Sequence, residues 1–266
     1  MVTDQDQSLE NALAKTEADV DATLRAAGGV ATALRRLQRA AKSGALRELR
    51  SSIEGADRAM GVLRQQFANA KDGWSFDEEP YFSEGGYVQE VLDIARRRGI
   101  SIFERDERLY CYPALVRVAP SERAVFIDKK REVRVRPSVL VAHLQDLQRR
   151  PPRFRPEAFL AALHQAYGKL TAPRGRGQLQ VEGPVVPLSE IYELLTLLPG
   201  QAREYSRQEF ARDIYLLDRS EVGTTRQGMQ LRFSPGGRGS RITVVTEEGA
   251  ERSYHGIYFV AVSSGQ

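Results

Sequence analysis

Two aspartates and a lysine follow one another along the middle of the chain at a spacing that suits metal chemistry. Asp106 lies in a polar turn, and Asp128 and Lys130 come directly after a predicted strand at 124–127. Two carboxylates can hold Mg²⁺, and a nearby lysine can orient or polarise an attacking water. These three residues are therefore the candidates for a hydrolytic site.

The pattern resembles the metal-dependent nuclease motif of the PD-(D/E)xK superfamily. That resemblance implies DNA cleavage, with Asp106 and Asp128 holding Mg²⁺ and Lys130 beside the attacking water. It departs from the motif because no Pro-Asp pair supplies the first acid, and the run 104–108 around Asp106 is also typical of a solvated turn. No other catalytic, cofactor or metal motif is recognisable. We therefore expect a non-catalytic protein without cofactor or metal, and keep the nuclease as an alternative.

Basic charge is the second chemical signal. Residues 129–155 hold nine lysines and arginines against two acids. A predicted strand at 133–135 places Arg134 and Arg136 on one face. Further arginines lie on a predicted helix at 206–218 and in the loop 234–240. The candidate phosphate contacts are Arg131, Arg134, Arg136, Arg149, Arg150, Arg153, Arg155, Arg207, Arg212 and Arg238.

Such arginines predict weak, sequence-independent binding of duplex DNA through its backbone, with a strong dependence on salt. Arg212 is the candidate for contacts to base edges, because it lies on the outward side of the predicted helix. The alternative is that the charged run is an ordinary solvated linker.

The N-terminal third positions none of these groups, but it carries a strong helical pattern. Apolar residues recur at intervals of three and four along the stretch 45–70, which is typical of a helix with one stripe facing a partner. They are Leu46, Leu49, Ile53, Ala56, Met60, Leu63 and Phe67. We expect this stripe to hold a dimer or larger oligomer together. A helical bundle within one chain is the alternative.

Before that stripe, two weaker rows run from Leu9 to Ala41. One row holds Leu13, Val20, Ala27, Leu34 and Ala41, and the other holds Leu9, Thr16, Thr23, Val30 and Leu37. Gly28-Gly29 costs about 1 kcal/mol per glycine in a helix. We therefore predict two or three helices over this third of the chain, at about 5–27, 30–42 and 45–70. Residues 1–24 are acidic and residues 25–50 are basic, so these blocks can attract each other within the chain or between two copies.

The remaining elements predict an α+β protein of three modules. A helical coiled-coil or bundle segment covers 1–72, and a mixed module of helices and antiparallel strands covers 73–150. A winged-helix-like domain covers 151–266, because three helices precede a β-hairpin there. Its predicted helices are 156–170, 188–198 and 206–218, and its strands are 229–233, 241–246 and 253–262. Ser206 and Glu209 form a capping box that predicts the start of the third helix. In the mixed module we predict a helix at 87–98 that ends at Gly99 and a later helix that begins at Pro137.

Composition excludes several classes of protein. The chain has 266 residues and a formal net charge of +4. Its single cysteine leaves no internal disulfide and no thiolate zinc site. No apolar run approaches the ~20 residues of a membrane span, and the polar N-terminus is not typical of a secretory signal. We therefore expect a cytoplasmic bacterial protein with no membrane partner.

Three hypotheses of function remain. The first is an oligomerising, DNA-associated subunit of a larger bacterial complex. The second is a protein–protein adaptor that joins subunits of such a complex without touching DNA. The third is the metal-dependent nuclease that uses Asp106, Asp128 and Lys130.

Overall fold

The computed structural model is a mixed α+β protein with long N-terminal helices and antiparallel sheets. It describes residues 8–150, 154–172, 183–234, 236 and 241–262. The chain divides into two compact units. The hairpin unit consists of Met1–Arg98, Val118–Phe126 and Lys130–His143, and the C-terminal unit of Gly99–Arg117, Ile127–Lys129 and Leu144–Gln266. The predicted division into three modules stays a prediction.

The described residues form the following elements. The helices are α1 (Leu9–Ser43), α2 (Leu46–Asp72), α3 (Glu78–Ser83), α4 (Gly86–Arg97), α5 (Pro137–Gln148), α6 (Pro156–Thr171), α7 (Leu188–Leu195), α8 (Gln201–Glu204) and α9 (Arg207–Arg219). The strands are β1 (Phe103–Arg105), β2 (Arg108–Cys111), β3 (Ala114–Ala119), β4 (Ala124–Ile127), β5 (Lys130–Glu132), β6 (Val186–Pro187), β7 (Met229–Ser234), β8 (Ile242–Val245), β9 (Glu251–Tyr254) and β10 (Gly256–Ala261).

Helices α1 and α2 pack along each other as an antiparallel hairpin. Of the two or three helices predicted here the structure forms two, because α1 runs unbroken across Gly28-Gly29. Packing against α2 stabilises α1 despite the low helix propensity of the two glycines, because most helices in proteins are stabilised mainly by tertiary packing. The helix ends instead at Gly44, whose left-handed φ of 71° lets its N–H reach the carbonyls of Ala40 and Ala41. Only glycine adopts that conformation without a steric cost.

The core of the hairpin unit lies under α4. One face of this helix buries Tyr87, Val91 and Ile94, and the ring of Tyr87 stacks on that of Phe82 from α3 at 4.7 Å. The predicted end of α4 is confirmed, because Gly99 follows its C-cap with a φ of 67°. Local sequence therefore decides where this helix stops.

Five short strands form one sheet in the order β1-β2-β3-β4-β5. The predicted strand 133–135 is wrong: β5 lies at Lys130–Glu132 and ends before Val133. The carboxylate of Glu132 accepts the backbone N–H of Arg134 at 2.8 Å. That local bond satisfies a donor that a continuing strand needs for its ladder.

The described residues of the C-terminal unit share one apolar core. Helices α6, α7 and α9 bury one face each, and a three-stranded sheet in the order β6-β10-β7 and a hairpin of β8 and β9 complete it. The predicted capping box at the start of α9 is confirmed, because Ser206 and Glu209 bond each other's backbone N–H groups. The largest fully buried side chains of the C-terminal unit include Tyr110, Leu115, Leu160, Leu163, Leu188, Phe210, Tyr215 and Phe259.

Among the helices in the described ranges, none has the length and apolar character needed to cross a membrane.

Candidate interaction surface

The carboxylate of Glu90, on α4, caps the first turn of α1. It accepts the Ser8 hydroxyl at 2.6 Å and the backbone N–H groups of Leu9 and Glu10 at 2.9 and 3.2 Å. The Tyr81 hydroxyl donates to the same carboxylate, and burial and that negative charge raise the pKa of Tyr81. A negative group at a helix N-terminus satisfies otherwise unpaired donors and suits the helix dipole. The hairpin is therefore held firmly at its start.

Arg136 fixes the same end of α1 from a second direction. Its guanidinium donates to Glu10 and to Glu17, each at 2.7 Å. Glu10 also accepts the backbone N–H of Ser138 at 2.9 Å, in the first turn of α5. Partial burial raises the pKa of Glu10, but the bonds from Ser138 and Arg136 outweigh it and hold that pKa below its usual value. Arg136 is thus engaged by two carboxylates within its own unit.

The inner contact of the hairpin consists of rows spaced alternately three and four residues apart. On α1 these rows consist of the buried or half-buried residues Leu9, Ala12, Thr16, Asp19, Thr23, Ala26, Val30, Ala33, Leu37 and Ala40. On α2 they are Leu49, Ser52, Ala56, Ala59, Leu63, Gln66 and Ala70. Most are small or polar, so the inner contact buries few large apolar side chains.

The large apolar side chains lie in a second row on each helix, here called the outer face. Apart from Leu46, the first residue of α2, each of its members comes one position after an inner residue, as Val20 follows Asp19 and Ile53 follows Ser52. Each outer row is therefore rotated by about 100° from the inner row about the axis of its own helix. Because the two helices are antiparallel, these rotations place both outer rows on the same side of the hairpin. The outer face consists of Leu13, Val20, Ala27, Leu34 and Ala41 on α1, and Leu46, Ile53, Met60 and Phe67 on α2.

Much of the outer face is exposed. The exposed fractions are 70% for Leu46, 52% for Ile53 and 60% for Phe67, and Val20 and Leu34 are nearly half exposed. Scattered exposed apolar residues are ordinary, whereas a contiguous apolar patch rimmed by charge marks an interaction site. The predicted single stripe of α2 therefore splits: Leu49, Ala56 and Leu63 face α1, and the others form the outer face.

The hairpin is also polarised in charge along its length. Its base, residues 8–24, carries four acids and one lysine, and its tip, residues 25–50, carries seven basic residues and one acid. The basic side chains of the tip are exposed. Opposite charge on the two ends favours a partner that presents the reverse order.

The three residues of the predicted nuclease site lie in different elements and make different contacts. Asp106 lies in the turn between β1 and β2, at a φ of 49° and 3.6 Å from Arg105. Asp128 accepts the Leu115 N–H at 3.2 Å and a guanidinium N–H of Arg212 at 2.6 Å. Lys130 lies on β5, which belongs to the hairpin unit. Within the described part of the chain, no three His, Cys, Asp or Glu side chains cluster as metal ligands.

The predicted phosphate contacts fall into paired and unpaired groups. Arg131 binds Glu122 at 2.9 Å, and Arg134 binds Glu132 at 2.6 Å. The bonds from Arg134 lower the pKa of Glu132 to about 2. The exposed arginines Arg149, Arg150 and Arg155 make no ion pair with other described residues. Arg153 and Arg238 lie outside the described residues.

Helix α9 is covered along most of its length. Of its thirteen residues only Arg207 and Arg219 are exposed, and Arg207 donates to the carbonyl of Arg241 at 3.1 Å. The Arg212 side chain is 15% exposed and binds both Asp128 and Asp213. A base contact from Arg212 would require this buried pairing to open.

The pairing continues into a buried polar cluster. Asp213 accepts the Arg212 Nε–H at 2.9 Å and the Tyr205 hydroxyl at 2.8 Å. Burial raises the pKa of Asp213, and the nearby Arg212 opposes that rise. Burial and the Asp213 carboxylate raise the pKa of Tyr205. The cluster orients α9 within the core, which is a structural role.

Sequence reasoning missed one group of residues and did not separate the two rows of α2. Glu90, Asp213 and Tyr205 act through partners that periodicity does not identify. The outer face carried a detectable signal, because Leu46, Ile53, Met60 and Phe67 are spaced seven residues apart, while the inner residues of α2 follow another register. A helix with two adjacent apolar rows indicates two partners.

Comparisons of the chain with protein-family models, with curated proteins and with solved structures find no match.

Proposed function

We propose that this chain is a non-catalytic adaptor that binds protein subunits through the outer face of its helical hairpin. The observation that carries the proposal is the exposure of Leu46, Ile53 and Phe67 along one side of α2. The capping of α1 by Glu90 and its pairing with Arg136 support it, because a rigidly held helix binds without a large ordering cost.

We also propose that the C-terminal unit contains a winged-helix-like module used for protein contacts. Apart from the short helix α8 and the β8–β9 hairpin, the elements follow one another as α6, β6, α7, α9, β7 and β10. This order and the sheet order β6-β10-β7 support the proposed arrangement. The burial of α9 favours a protein-binding role over base reading, because a recognition helix has to present its side chains to the major groove.

The adaptor proposal predicts that charge on the outer face abolishes subunit binding. Ile53→Glu combined with Phe67→Glu places two carboxylates in the apolar row, which costs several kcal/mol if the row is buried by a partner. We expect the tagged variant, purified from the native host, to lose partners that the unaltered chain carries in stoichiometric amounts, as measured by quantitative mass spectrometry.

The matched control is Ser51→Glu with Gln65→Glu. It adds the same charge at exposed positions on the far side of α2, so it should retain every partner. An unaltered chain without a stoichiometric partner, or equal retention by both variants, would overturn the adaptor proposal.

Duplex DNA binding is the second candidate, favoured by the exposed Arg149, Arg150 and Arg155, which make no ion pair with the residues that the structure describes. Contacts to phosphates should give weak, sequence-independent affinity. The slope of log K against log salt concentration should be about −0.9 for each neutralised phosphate. Changing all three arginines to glutamine should flatten that slope by about 2–3. Fluorescence anisotropy with a labelled duplex measures it.

The control removes the same charge from arginines already paired with carboxylates: Arg96, Arg131 and Arg134. Their replacement by glutamine should change the slope by less than half as much. An unaltered chain that does not bind at about 50 mM salt, where backbone contacts are strongest, excludes the DNA candidate.

A further inference from the structure

We infer that the partner of the outer face is a second copy of this chain, packed antiparallel to the first about a two-fold axis near Met60. This inference rests on the adaptor proposal and names one of its partners. In this arrangement the base of each hairpin lies beside the tip of the other. Three independent features of the hairpin agree on it.

The first feature is the order of side-chain sizes along α2. A two-fold axis at Met60 places Met60 of one copy against Met60 of the other, and Ile53 of one against Phe67 of the other. The same axis brings Leu46, 70% exposed, to Trp74, 37% exposed, one heptad beyond Phe67. All the large apolar residues of this row therefore gain a large apolar neighbour.

The second feature is the order of sizes along α1. Here the antiparallel arrangement places Val20 of one copy against Ala41 of the other, and Leu34 against Ala27. Large residues thus meet small ones, which lets two helices approach closely without clashes or voids. The pairing of large with small is a property of the sequence order and requires no rearrangement of the hairpin.

The third feature is the charge beside the outer face. Asp57 and Arg64 lie on either side of Met60, so the two-fold axis brings Asp57 of one copy to Arg64 of the other. Both side chains are exposed. These opposite charges become neighbours across the interface, where complementarity sets register.

Both helices place the axis at nearly the same height of the hairpin. The midpoint of Asp57 and Arg64 on α2 lies next to Met60, and the midpoint of Val20 and Ala41 on α1 lies between Val30 and Ala31. Helix α1 ends at Ser43 and α2 begins at Leu46, so positions of α1 and α2 at equal height have numbers that add to about 89. The α1 midpoint therefore lies level with Arg58 and Ala59, within about 3 Å of Met60 along the helix axis, and one axis serves both helices.

The size of the outer face also suits a stable pair. It extends over about 28 residues of α1, which is about 42 Å at 1.5 Å per residue. Two helices about 10 Å apart give it a width of about 20 Å, so each copy buries about 800 Å². That is the area per partner of a standard specific interface.

Cysteine cross-linking tests the position of the axis. Met60→Cys places two thiols across it, so we expect a covalent dimer in the full chain under mild oxidation. Ile53→Cys is the control, because its two introduced thiols would be 14 residues, or about 21 Å, apart. The native Cys111 is buried and its pKa is raised to about 12, so it contributes little reactive thiolate. A cross-link in the Ile53→Cys variant but not in the Met60→Cys variant would overturn the arrangement.

A charge swap tests the pairing without altering the apolar residues. Asp57→Arg and Arg64→Asp should each weaken self-association at least about tenfold, because each places like charges together twice in the dimer. The double variant restores both pairs and should recover most of the affinity. Sedimentation over about 1–100 μM covers the range for an interface of this size. A double variant that associates as weakly as the single variants contradicts the antiparallel pairing.

The two proposals fail differently. A chain that stays monomeric over this range, yet loses host partners in the Ile53→Glu, Phe67→Glu variant, overturns the self-pairing and retains the adaptor. A chain that cross-links in the Met60→Cys variant, yet carries no other stoichiometric subunit, supports the self-pairing and overturns the wider adaptor role.

Discussion

Replacing Phe210 by alanine is expected to lower the free energy of unfolding of the C-terminal unit by about 3–5 kcal/mol, the range for emptying a packed aromatic site. Phe210 is fully buried on α9. Its ring lies 5.4 Å from that of Tyr192 and 6.2 Å from those of Phe159 and Tyr205. Alanine leaves these three rings without a shared neighbour. Urea unfolding followed by circular dichroism measures the loss.

Neighbouring substitutions calibrate that result. Ile214→Ala should cost about 2–5 kcal/mol, because Ile214 is also fully buried. Leu194 is only half-buried, so Leu194→Ala should cost less than either. Leu197→Ala is the control, because Leu197 is 75% exposed and such sites usually change stability by less than about 0.5 kcal/mol. A change at Phe210 as small as that at Leu197 would show that α9 does not pack in this core.

Replacing Arg212 by alanine is expected to cost about 3–5 kcal/mol at neutral pH. The cost arises because the change leaves the buried Asp213 carboxylate without its cation, and breaking one side of a buried pair is far more costly than losing an exposed one. Without Arg212 the pKa of Asp213 rises further, because burial then acts unopposed. Chemical unfolding at several pH values measures both effects.

The pH dependence of this variant has a definite sign. A carboxyl whose folded-state pKa is raised above its unfolded value destabilises the fold when it is charged, and that destabilisation fades as pH falls through the raised pKa. The gap between the variant and the unaltered chain should therefore be larger at about pH 8 than at about pH 5. An equal gap at both would contradict a charged, unpaired Asp213.

A second substitution separates charge from lost packing. Asp213→Asn in the Arg212→Ala background removes the buried charge and keeps an acceptor for the Tyr205 hydroxyl. We expect it to recover part of the stability and to abolish the difference between the two pH values. Arg134→Ala is the control, because Arg134 is largely exposed and the loss of an exposed, solvent-screened ion pair should leave the stability nearly unchanged.

Local rules predicted several elements of the fold from sequence alone. The spacing of apolar residues indicated α2, the Ser206 and Glu209 pair indicated the start of α9, and Gly99 indicated the end of α4. Pro137 was expected to open a helix and is the first residue of α5. Each signal depends on residues within a few positions of one another, so one chain segment contains all the information.

The tertiary structure decided which apolar stripe of each helix faces inward and which charges are paired. Leu46 and Leu49 are equally apolar, yet Leu46 is exposed and Leu49 faces α1, because the register of the hairpin depends on both helices together. Gly28-Gly29 stays helical for the same reason, since packing outweighs propensity.

The candidate binding residues show the same limit most clearly. Arg136 and Arg212 look alike in sequence to the exposed Arg149, but Arg136 meets Glu10 and Arg212 meets Asp128, at separations of 126 and 84 residues. Whether an arginine is available to a partner depends on which carboxylates the folded chain brings to it. Charge and spacing are properties of the sequence, whereas pairing is a property of contacts that only folding creates, because the Coulomb attraction decides a partner only at distances of a few ångströms.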